Sequence, residues 1–138
     1  MKSLEEALNK MNVISVTGES EDRLMKTICC DSRKVTQGSI FVAINGILVN
    51  GNDYIDSAIK QGATTIVTDA EDGDKLPDNI TKVVVRDARV ALAQLSVYFY
   101  EFPSLAMNVI GITGTNGKTT VSYLIESIFK TSGRDIGR

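Results

Sequence analysis

The chain has 138 residues, of which 43% are hydrophobic and 23% are charged, a balance typical of a globular protein of about one domain. Fifteen lysines and arginines against 17 aspartates and glutamates give a net charge of -2, which argues against a basic surface for nucleic acid. The absence of histidine excludes a Ser-His-Asp or Cys-His nucleophile and a histidine-ligated metal within these residues.

Apolar spacing predicts alternating helices and strands along the chain. Ser3 and Glu6 form a capping-box pattern at the first helix, and Asp87 stands where it could cap a later one. Helical spacing predicts helices at 4–10, 53–61, 88–101 and 119–131. Short apolar or β-branched runs bounded by turn residues predict strands at 24–30, 40–44, 64–68, 82–85 and 107–112.

This alternation predicts an α/β protein. We expect a small amino-terminal α/β domain with a short mixed sheet over residues 1–86. Residues 87–138 would then begin a parallel-sheet ATPase domain with its first strand, phosphate loop and helix. Because parallel sheets are covered by later crossover helices, we expect this second domain to be truncated. The apolar face of its helix would fold back on the first domain, pair with another copy in a non-native association, or fray.

The two cysteines, Cys29 and Cys30, are adjacent in an apolar run, where neighbouring side chains point to opposite faces of a strand. This spacing supports neither an intrachain disulfide nor a zinc site and is typical of packing residues in a reducing compartment. Glu5 and Glu6 lie where a secretion signal needs an apolar core, and no run approaches the roughly 20 apolar residues of a membrane span. We therefore expect a cytoplasmic protein with no membrane partner.

The strongest functional signal is a glycine-rich segment between the last predicted strand and helix, GITGTNGKTT from Gly111 to Thr120. Glycines let successive N–H groups point inward at phosphate oxygens, and a helix start adds partial positive charge. Lys118 would contact the β- and γ-phosphates of a nucleotide, and the Thr119 hydroxyl would bind Mg²⁺. The segment departs from the general phosphate-loop pattern at Ile112, where that pattern has glycine.

The string TGTNGKTT at 113–120 resembles the ATP loop of the Mur ligases, ATP-dependent amide ligases that build the peptide of bacterial cell-wall precursors. Ile112 is normal in that family. Upstream, Asp31-Ser32-Arg33 and the residues that follow are similar to the first domain of the branch that adds the third amino acid. The dipeptide-adding branch usually has Ser in place of Thr115, and the alanine-adding branch usually has His in place of Asn116. Folylpolyglutamate synthases share the loop but lack the upstream segment.

The resemblance implies two groups of binding residues. ATP would be bound by Gly114, Thr115, Asn116, Gly117, Lys118, Thr119 and Thr120, with Lys118 as the catalytic cation and Thr119 as a ligand of Mg²⁺. The UDP end of the substrate would lie against Cys30, Ser32, Ile47, Leu48 and Val49. Because the segment 47–49 replaces a polar one in many relatives, its backbone groups would have to bond the uracil.

The residues around Ser32 also allow a simpler interpretation, in which Asp31 and Ser32 cap a turn. A glycine pair, Gly46 and Gly51, would then flank an ordinary loop. Arg33 could contact a diphosphate, but a solvated or salt-bridged arginine is the commoner case.

The implied reaction adds a free amino acid to UDP-N-acetylmuramoyl-L-alanyl-D-glutamate. ATP would phosphorylate the D-glutamyl carboxylate, and the incoming amine would attack the acyl phosphate and release phosphate. We expect these 138 residues alone to be inactive, since the domain that chooses the amino acid, a later acidic metal ligand and a modified lysine lie outside them. The dipeptide-adding branch, a UDP-binding module without chemistry and an unrelated phosphate-loop NTPase fragment remain as alternatives.

Overall fold

The computed structural model describes residues 2–18, 24–47, 49–70 and 75–137. The chain forms two compact units, one that ends at Pro103 and one that begins at Ser104. Every strand found among the described residues belongs to the first unit.

The secondary structure follows the predicted alternation. The strands are β1 (Lys2–Ser3), β2 (Val13–Thr17), β3 (Leu24–Met25), β4 (Thr27–Cys29), β5 (Ser39–Ala43), β6 (Ala63–Thr68) and β7 (Thr81–Val85). The helices are α1 (Leu4–Leu8), α2 (Ile55–Lys60), α3 (Ala88–Phe99), α4 (Pro103–Ala106) and α5 (Lys118–Thr131), with 3-10 turns at Ser32–Lys34 and Gly51–Tyr54. The strand predicted at 24–30 is divided in two, because β3 pairs with β1 whereas β4 joins the main sheet.

The main sheet has five strands in the order β2-β7-β6-β5-β4. Strands β4, β5, β6 and β7 are parallel, and β2 lies antiparallel to β7 at one edge. The mixed sheet predicted for the first domain is thus confirmed. The sequence did not predict β2, because four of its five residues are exposed and it lacks a buried apolar run.

The core lies on both faces of this sheet, because side chains alternate along each strand. In β5, Ile40 and Val42 pack on the face covered by α1 and α3, whereas Phe41 and Ala43 pack on the face covered by α2. All five residues of β5 are buried, as expected for a central parallel strand.

Helix α3 belongs to the core of the first unit. As predicted, Asp87 caps it, accepting hydrogen bonds from the N–H groups of Arg89 at 2.8 Å and Val90 at 3.0 Å. Ala91 and Leu95 are buried against the sheet. The boundary between the compact units at 103–104 therefore lies beyond the predicted boundary at 86–87, because α3 is part of the first core.

The second unit contains the glycine-rich segment and α5, whose bounds agree with the predicted helix. The strand predicted at 107–112 is wrong: these residues form no strand. A strand needs a neighbour for its N–H and C=O groups, and none of the described strands pairs with this segment. Within the described ranges, no helix has both the length and the apolar character needed to cross a bilayer.

Candidate functional site

A cleft of about 510 Å³ opens at the carboxyl ends of two adjacent parallel strands of the first unit. One wall is formed by the residues that come after β4 in the chain, and the other by the residues that come after β5. Because the two strands are parallel neighbours, these two segments lie at the same edge of the sheet. Ligands of open parallel sheets bind in this position, outside the carboxyl ends of the strands. The cleft is lined by Cys30, Asp31, Ser32, Arg33, Phe41, Ile44, Val49, Gly51 and Tyr54.

The β4 wall is shaped by a 3-10 turn that Asp31 caps. The Asp31 carboxylate accepts a hydrogen bond from the backbone N–H of Arg33 at 3.1 Å and two more from its guanidinium, at 2.9 and 2.8 Å. These bonds lower the pKa of Asp31 to about 2, so the carboxylate is charged at neutral pH. The same pairing raises the pKa of the Arg33 guanidinium. Ser32, at the turn's start, is only 8% exposed although it lines the cleft.

The β5 wall is formed by residues 44–47 and 49–51, which we call the cleft loop. The backbone N–H of Gly46 donates to the carbonyl of Val49, and that of Gly51 donates to the carbonyl of Ile44, both at 2.9 Å. Asn45 and Asn50 form an antiparallel bridge across the loop. A Cβ on Gly51 would lie 2.5 Å from the Ile44 nitrogen, so only glycine fits there without a backbone shift.

The structure brings part of the predicted substrate set together. Cys30, Ser32 and Val49 line the cleft, the first two from one wall and Val49 from the other. Ile47 is fully exposed at the loop tip and does not line the cleft. Leu48 lies outside the described residues.

The two cysteines have different surroundings, as the predicted alternation requires. Cys29 is partly buried, its thiol 3.8 Å from the carbonyl oxygen of Ile40, and burial raises its pKa. Cys30 is exposed in the cleft, and both thiols are free.

Sequence reasoning did not assign the two aromatic residues or the aspartate that line the cleft to the substrate site. Tyr54 and Phe41 line it together with Asp31, and Tyr54 is 43% exposed. These residues are distant in sequence and meet only because β4 and β5 are parallel neighbours, with Cys29 beside Phe41. The available signal was that two turn-rich segments each follow a predicted buried strand.

The glycine-rich loop leads directly into α5. Gly117 has a φ of 77°, a left-handed conformation that favours glycine, and it occupies the cap position before Lys118. Gly117 has no side chain that could cap the helix. The first-turn N–H groups of α5 can therefore donate hydrogen bonds to phosphate oxygens. The Lys118 ammonium donates to the carbonyl oxygens of Gly114 and Thr115, the latter at 3.4 Å. Residues 114–120 are all exposed.

A magnesium ion fits this loop only as a partner of bound phosphate. Thr119 offers one hydroxyl in the first turn of α5, and Mg²⁺ commonly combines few protein ligands with phosphate oxygens. Over the ranges that the structure describes, no group of three or more His, Cys, Asp or Glu side chains could hold a metal by itself.

Comparison with protein families gives a match over most of the first unit. A model described as "Mur ligase family, catalytic domain" matches residues 25–100, which include β4 to β7 and α3 and end before the glycine-rich loop.

Curated relatives extend the similarity through the loop. The UDP-N-acetylmuramoyl-L-alanyl-D-glutamate--2,6-diaminopimelate ligase of Oceanobacillus iheyensis is 41% identical over 127 residues, which are 92% of this chain and 25% of that protein. The ligase of the same name from Alkaliphilus metalliredigens is 41% identical over 134 residues, 97% of this chain and 26% of that protein. The chain thus spans about a quarter of the length of these relatives.

Solved structures of a related ligase share the fold. UDP-N-acetylmuramoylalanyl-D-glutamyl-2,6-diaminopimelate--D-alanyl-D-alanyl ligase from Acinetobacter baumannii is similar with a TM-score of 0.60 and 29% identity, over 78% of this chain and 23% of that one. MurF ligase from Thermotoga maritima, solved in complex with ADP, is similar with a TM-score of 0.56 and 27% identity, over 80% of this chain and 25% of that one.

Proposed function

The chain belongs to the Mur ligase family, and from that premise we propose that it is the front part of the ligase that adds the third amino acid to UDP-N-acetylmuramoyl-L-alanyl-D-glutamate. The relatives at 41% identity carry the name of that activity, with 2,6-diaminopimelate as the amino acid. We take diaminopimelate as the candidate on their names alone. ATP and UDP-linked compounds are cytoplasmic metabolites, so we assign this activity to the cytoplasm.

The observation that carries the proposal is the cleft at the carboxyl ends of β4 and β5. Its volume of about 510 Å³ is in the range of small-molecule sites. It combines apolar surface from Val49 and Tyr54 with the hydroxyl-bearing Ser32, a residue that is only 8% exposed. This combination suits a nucleoside diphosphate, whose base needs apolar contact and whose ribose and phosphates need polar partners. We assign the cleft to the UDP end of the substrate.

The glycine-rich loop is assigned to ATP. Lys118 and the first-turn N–H groups of α5 would hold the transferred phosphate, and Thr119 would share Mg²⁺ with it. When bound, the ion would neutralise charge on the phosphates. An oxygen of the D-glutamyl carboxylate would attack the γ-phosphorus of ATP, forming an acyl phosphate and releasing ADP. The amine would then attack the acyl carbon, and phosphate and a proton would leave as the amide bond forms.

Binding of the intact nucleotide substrate tests the assignment of the cleft. We expect UDP-N-acetylmuramoyl-L-alanyl-D-glutamate to shift the amide resonances of residues 30–33 and 44–51, and free UDP to compete for the same site. Adenosine monophosphate is the matched control, since it carries phosphate without uracil. Absence of binding, or shifts confined to other residues, would contradict the assignment.

The dipeptide-adding activity is a second candidate, because the similar solved structures include a ligase that is named for D-alanyl-D-alanyl addition. Both activities use a UDP-linked substrate, so cleft binding does not separate them. Depletion of the protein in its own cells does. Accumulation of UDP-N-acetylmuramoyl-L-alanyl-D-glutamate would support addition of the third residue, and accumulation of the tripeptide precursor would support addition of the dipeptide.

A further inference from the structure

The cleft loop is held from outside by an arginine that does not line the cleft. The Arg89 guanidinium, in the first turn of α3, donates a hydrogen bond to the backbone carbonyl of Asn45 at 2.7 Å. The two residues are 44 positions apart in the chain. Because the donor is charged, this bond is stronger than an ordinary one between neutral groups.

Arg89 stands on a rigid base. Its backbone N–H is bonded to the Asp87 carboxylate, and the adjacent Ala88 is completely buried in the core. The Arg89 side chain is itself exposed, so it contributes little to the core. The hydrogen bond to Asn45 therefore links helix α3 to the cleft loop.

A second set of bonds holds the other end of the cleft loop. The Asn50 carbonyl oxygen of the side chain accepts hydrogen bonds from the backbone and side-chain N–H groups of Asn52, both at 3.0 Å. The buried Thr68 hydroxyl, at the end of β6, donates to the Asn52 side chain at 2.6 Å. The loop is therefore fixed at Asn50 through β6 and at Asn45 through Arg89.

We propose that Arg89 is a positioning residue for the cleft, which holds the cleft loop so that Val49 and the loop backbone form the wall before ligand arrives. This role rests on the proposed binding of UDP in the cleft. When the loop is already ordered, the free energy of binding includes no entropic cost of ordering it. Loss of the Arg89 hydrogen bond therefore weakens binding without removing a contact to the ligand.

The test compares three variants of the chain. Arg89→Met removes the donor and keeps the length of the side chain, and Arg89→Lys restores a charged donor. Arg86→Met is the matched control, because it removes the same charge from an exposed position three residues earlier. Any loss of long-range attraction for the anionic UDP then appears in both methionine variants.

Three measurements are made on each variant: amide hydrogen exchange at Gly46 and Gly51, the UDP dissociation constant, and the melting temperature. In Arg89→Met we expect exchange at Gly46 to accelerate and the dissociation constant to rise, each by about tenfold, as for loss of one charge-assisted bond. Exchange in β6 and the melting temperature should stay near wild type. Arg89→Lys should recover most of both effects, and Arg86→Met should show neither.

Unchanged exchange at Gly46 in Arg89→Met would overturn the proposal, as would faster exchange throughout the sheet with a lower melting temperature, which marks a general structural role. Equal UDP affinity in Arg89→Met and wild type would also overturn it. If the wild-type chain does not bind UDP at all, the proposed function fails instead, and exchange at Gly46 alone decides whether Arg89 holds the loop.

Discussion

The Asp31 carboxylate receives both the Nε and an Nη hydrogen bond of Arg33, at 2.9 and 2.8 Å, so the two side chains form a bidentate pair at the mouth of the cleft. The pair explains why the pKa of Asp31 falls from 3.8 to about 2. Because the folded pKa is lowered, the pair stabilises the fold fully above pH 3.8 and is lost as the pH falls toward 2. In the absence of ligand, the Arg33 guanidinium is thus already paired with the Asp31 carboxylate.

Arg33→Met should raise the pKa of Asp31 from about 2 toward 3.8, since the side-chain bonds from Arg33 are the largest cause of the shift. The recovery should be incomplete, because the backbone N–H at position 33 still donates to the carboxylate. A ¹³C carboxyl titration by NMR measures the midpoint. Lys34→Met is the control, since the Lys34 charge is the smallest cause of the shift. An unchanged midpoint in Arg33→Met would show that the pair does not persist in solution.

Ser32→Ala should weaken binding of the UDP-muramoyl substrate by about 1–3 kcal/mol, the usual effect of removing a buried polar partner. Ser32 is one of three residues, with Cys30 and Val49, that the family resemblance predicts and that line the cleft, and it is the one with a hydroxyl. Titration calorimetry on the two proteins gives the difference. Ser104→Ala removes the same hydroxyl from an exposed position and should leave affinity unchanged. Equal affinities for Ser32→Ala and wild type would reduce Ser32 to a turn residue.

Local sequence predicted the elements whose pattern agrees with their burial. The runs in β5, β6 and β7 are buried on both faces and are therefore apolar in sequence. Asp87, a residue type that commonly caps helices, marks the start of α3. Edge strand β2 was not predicted from the sequence, because four of its five residues are exposed and Ile14 and Val16 lie among polar neighbours. Residues 107–112 have the composition of a strand, but strand formation depends on a partner that local pattern does not report.

The cleft could be predicted only in part, for a similar reason. Cys30 and Ser32 follow β4 directly, and the family resemblance of that segment predicted them, whereas the residues alone allowed a simple turn cap. Tyr54 and Phe41 join them through the parallel pairing of β4 with β5, which sets which residues lie side by side. The hydrogen bond from Arg89 to the Asn45 carbonyl depends on how α3 packs over the sheet, and no local sequence pattern predicts it.

Gly51→Ala should destabilise the first unit by about 1–3 kcal/mol, as overpacking against fixed atoms usually does. The added Cβ would lie 2.5 Å from the nitrogen and 2.6 Å from the oxygen of Ile44, both backbone atoms that cannot move alone. Urea unfolding measures the free-energy change. Gly111→Ala is the control, since a Cβ there has no other atom within 4 Å. Wild-type stability in Gly51→Ala would mean that the cleft loop is not closed as described.

Leu95→Ala should lower the free energy of unfolding of the first unit by about 2–5 kcal/mol, the range for a large aliphatic side chain removed from a core. Leu95 is completely buried between α3 and the sheet, whereas Val97 on the same helix is 40% exposed. Val97→Ala therefore serves as the control and should have a much smaller effect. Similar small effects of both substitutions would support a domain boundary before α3, as the sequence alone suggested.

The chain should bind ATP weakly although it contains the whole glycine-rich loop. Such a loop binds well when surrounding elements hold its N–H groups in place before the ligand arrives. Here residues 107–112 form no strand and residues 114–120 are exposed. The Lys118 ammonium is bonded to the carbonyl oxygens of Gly114 and Thr115, which it must leave to reach a phosphate.

Ordering several loop residues at roughly 1–2 kcal/mol each would remove most of the binding energy that the loop could otherwise supply. We expect calorimetric titration with ATP and Mg²⁺ to give a dissociation constant of about 1 mM or weaker. Lys118→Ala should then change it little, because a loop that is not ordered in advance cannot use the lysine fully. Lys130→Ala, which removes a charge at the other end of α5, is the matched control. Micromolar affinity that Lys118→Ala abolishes and Lys130→Ala preserves would show that the loop is ordered without its strand, and this expectation would be wrong.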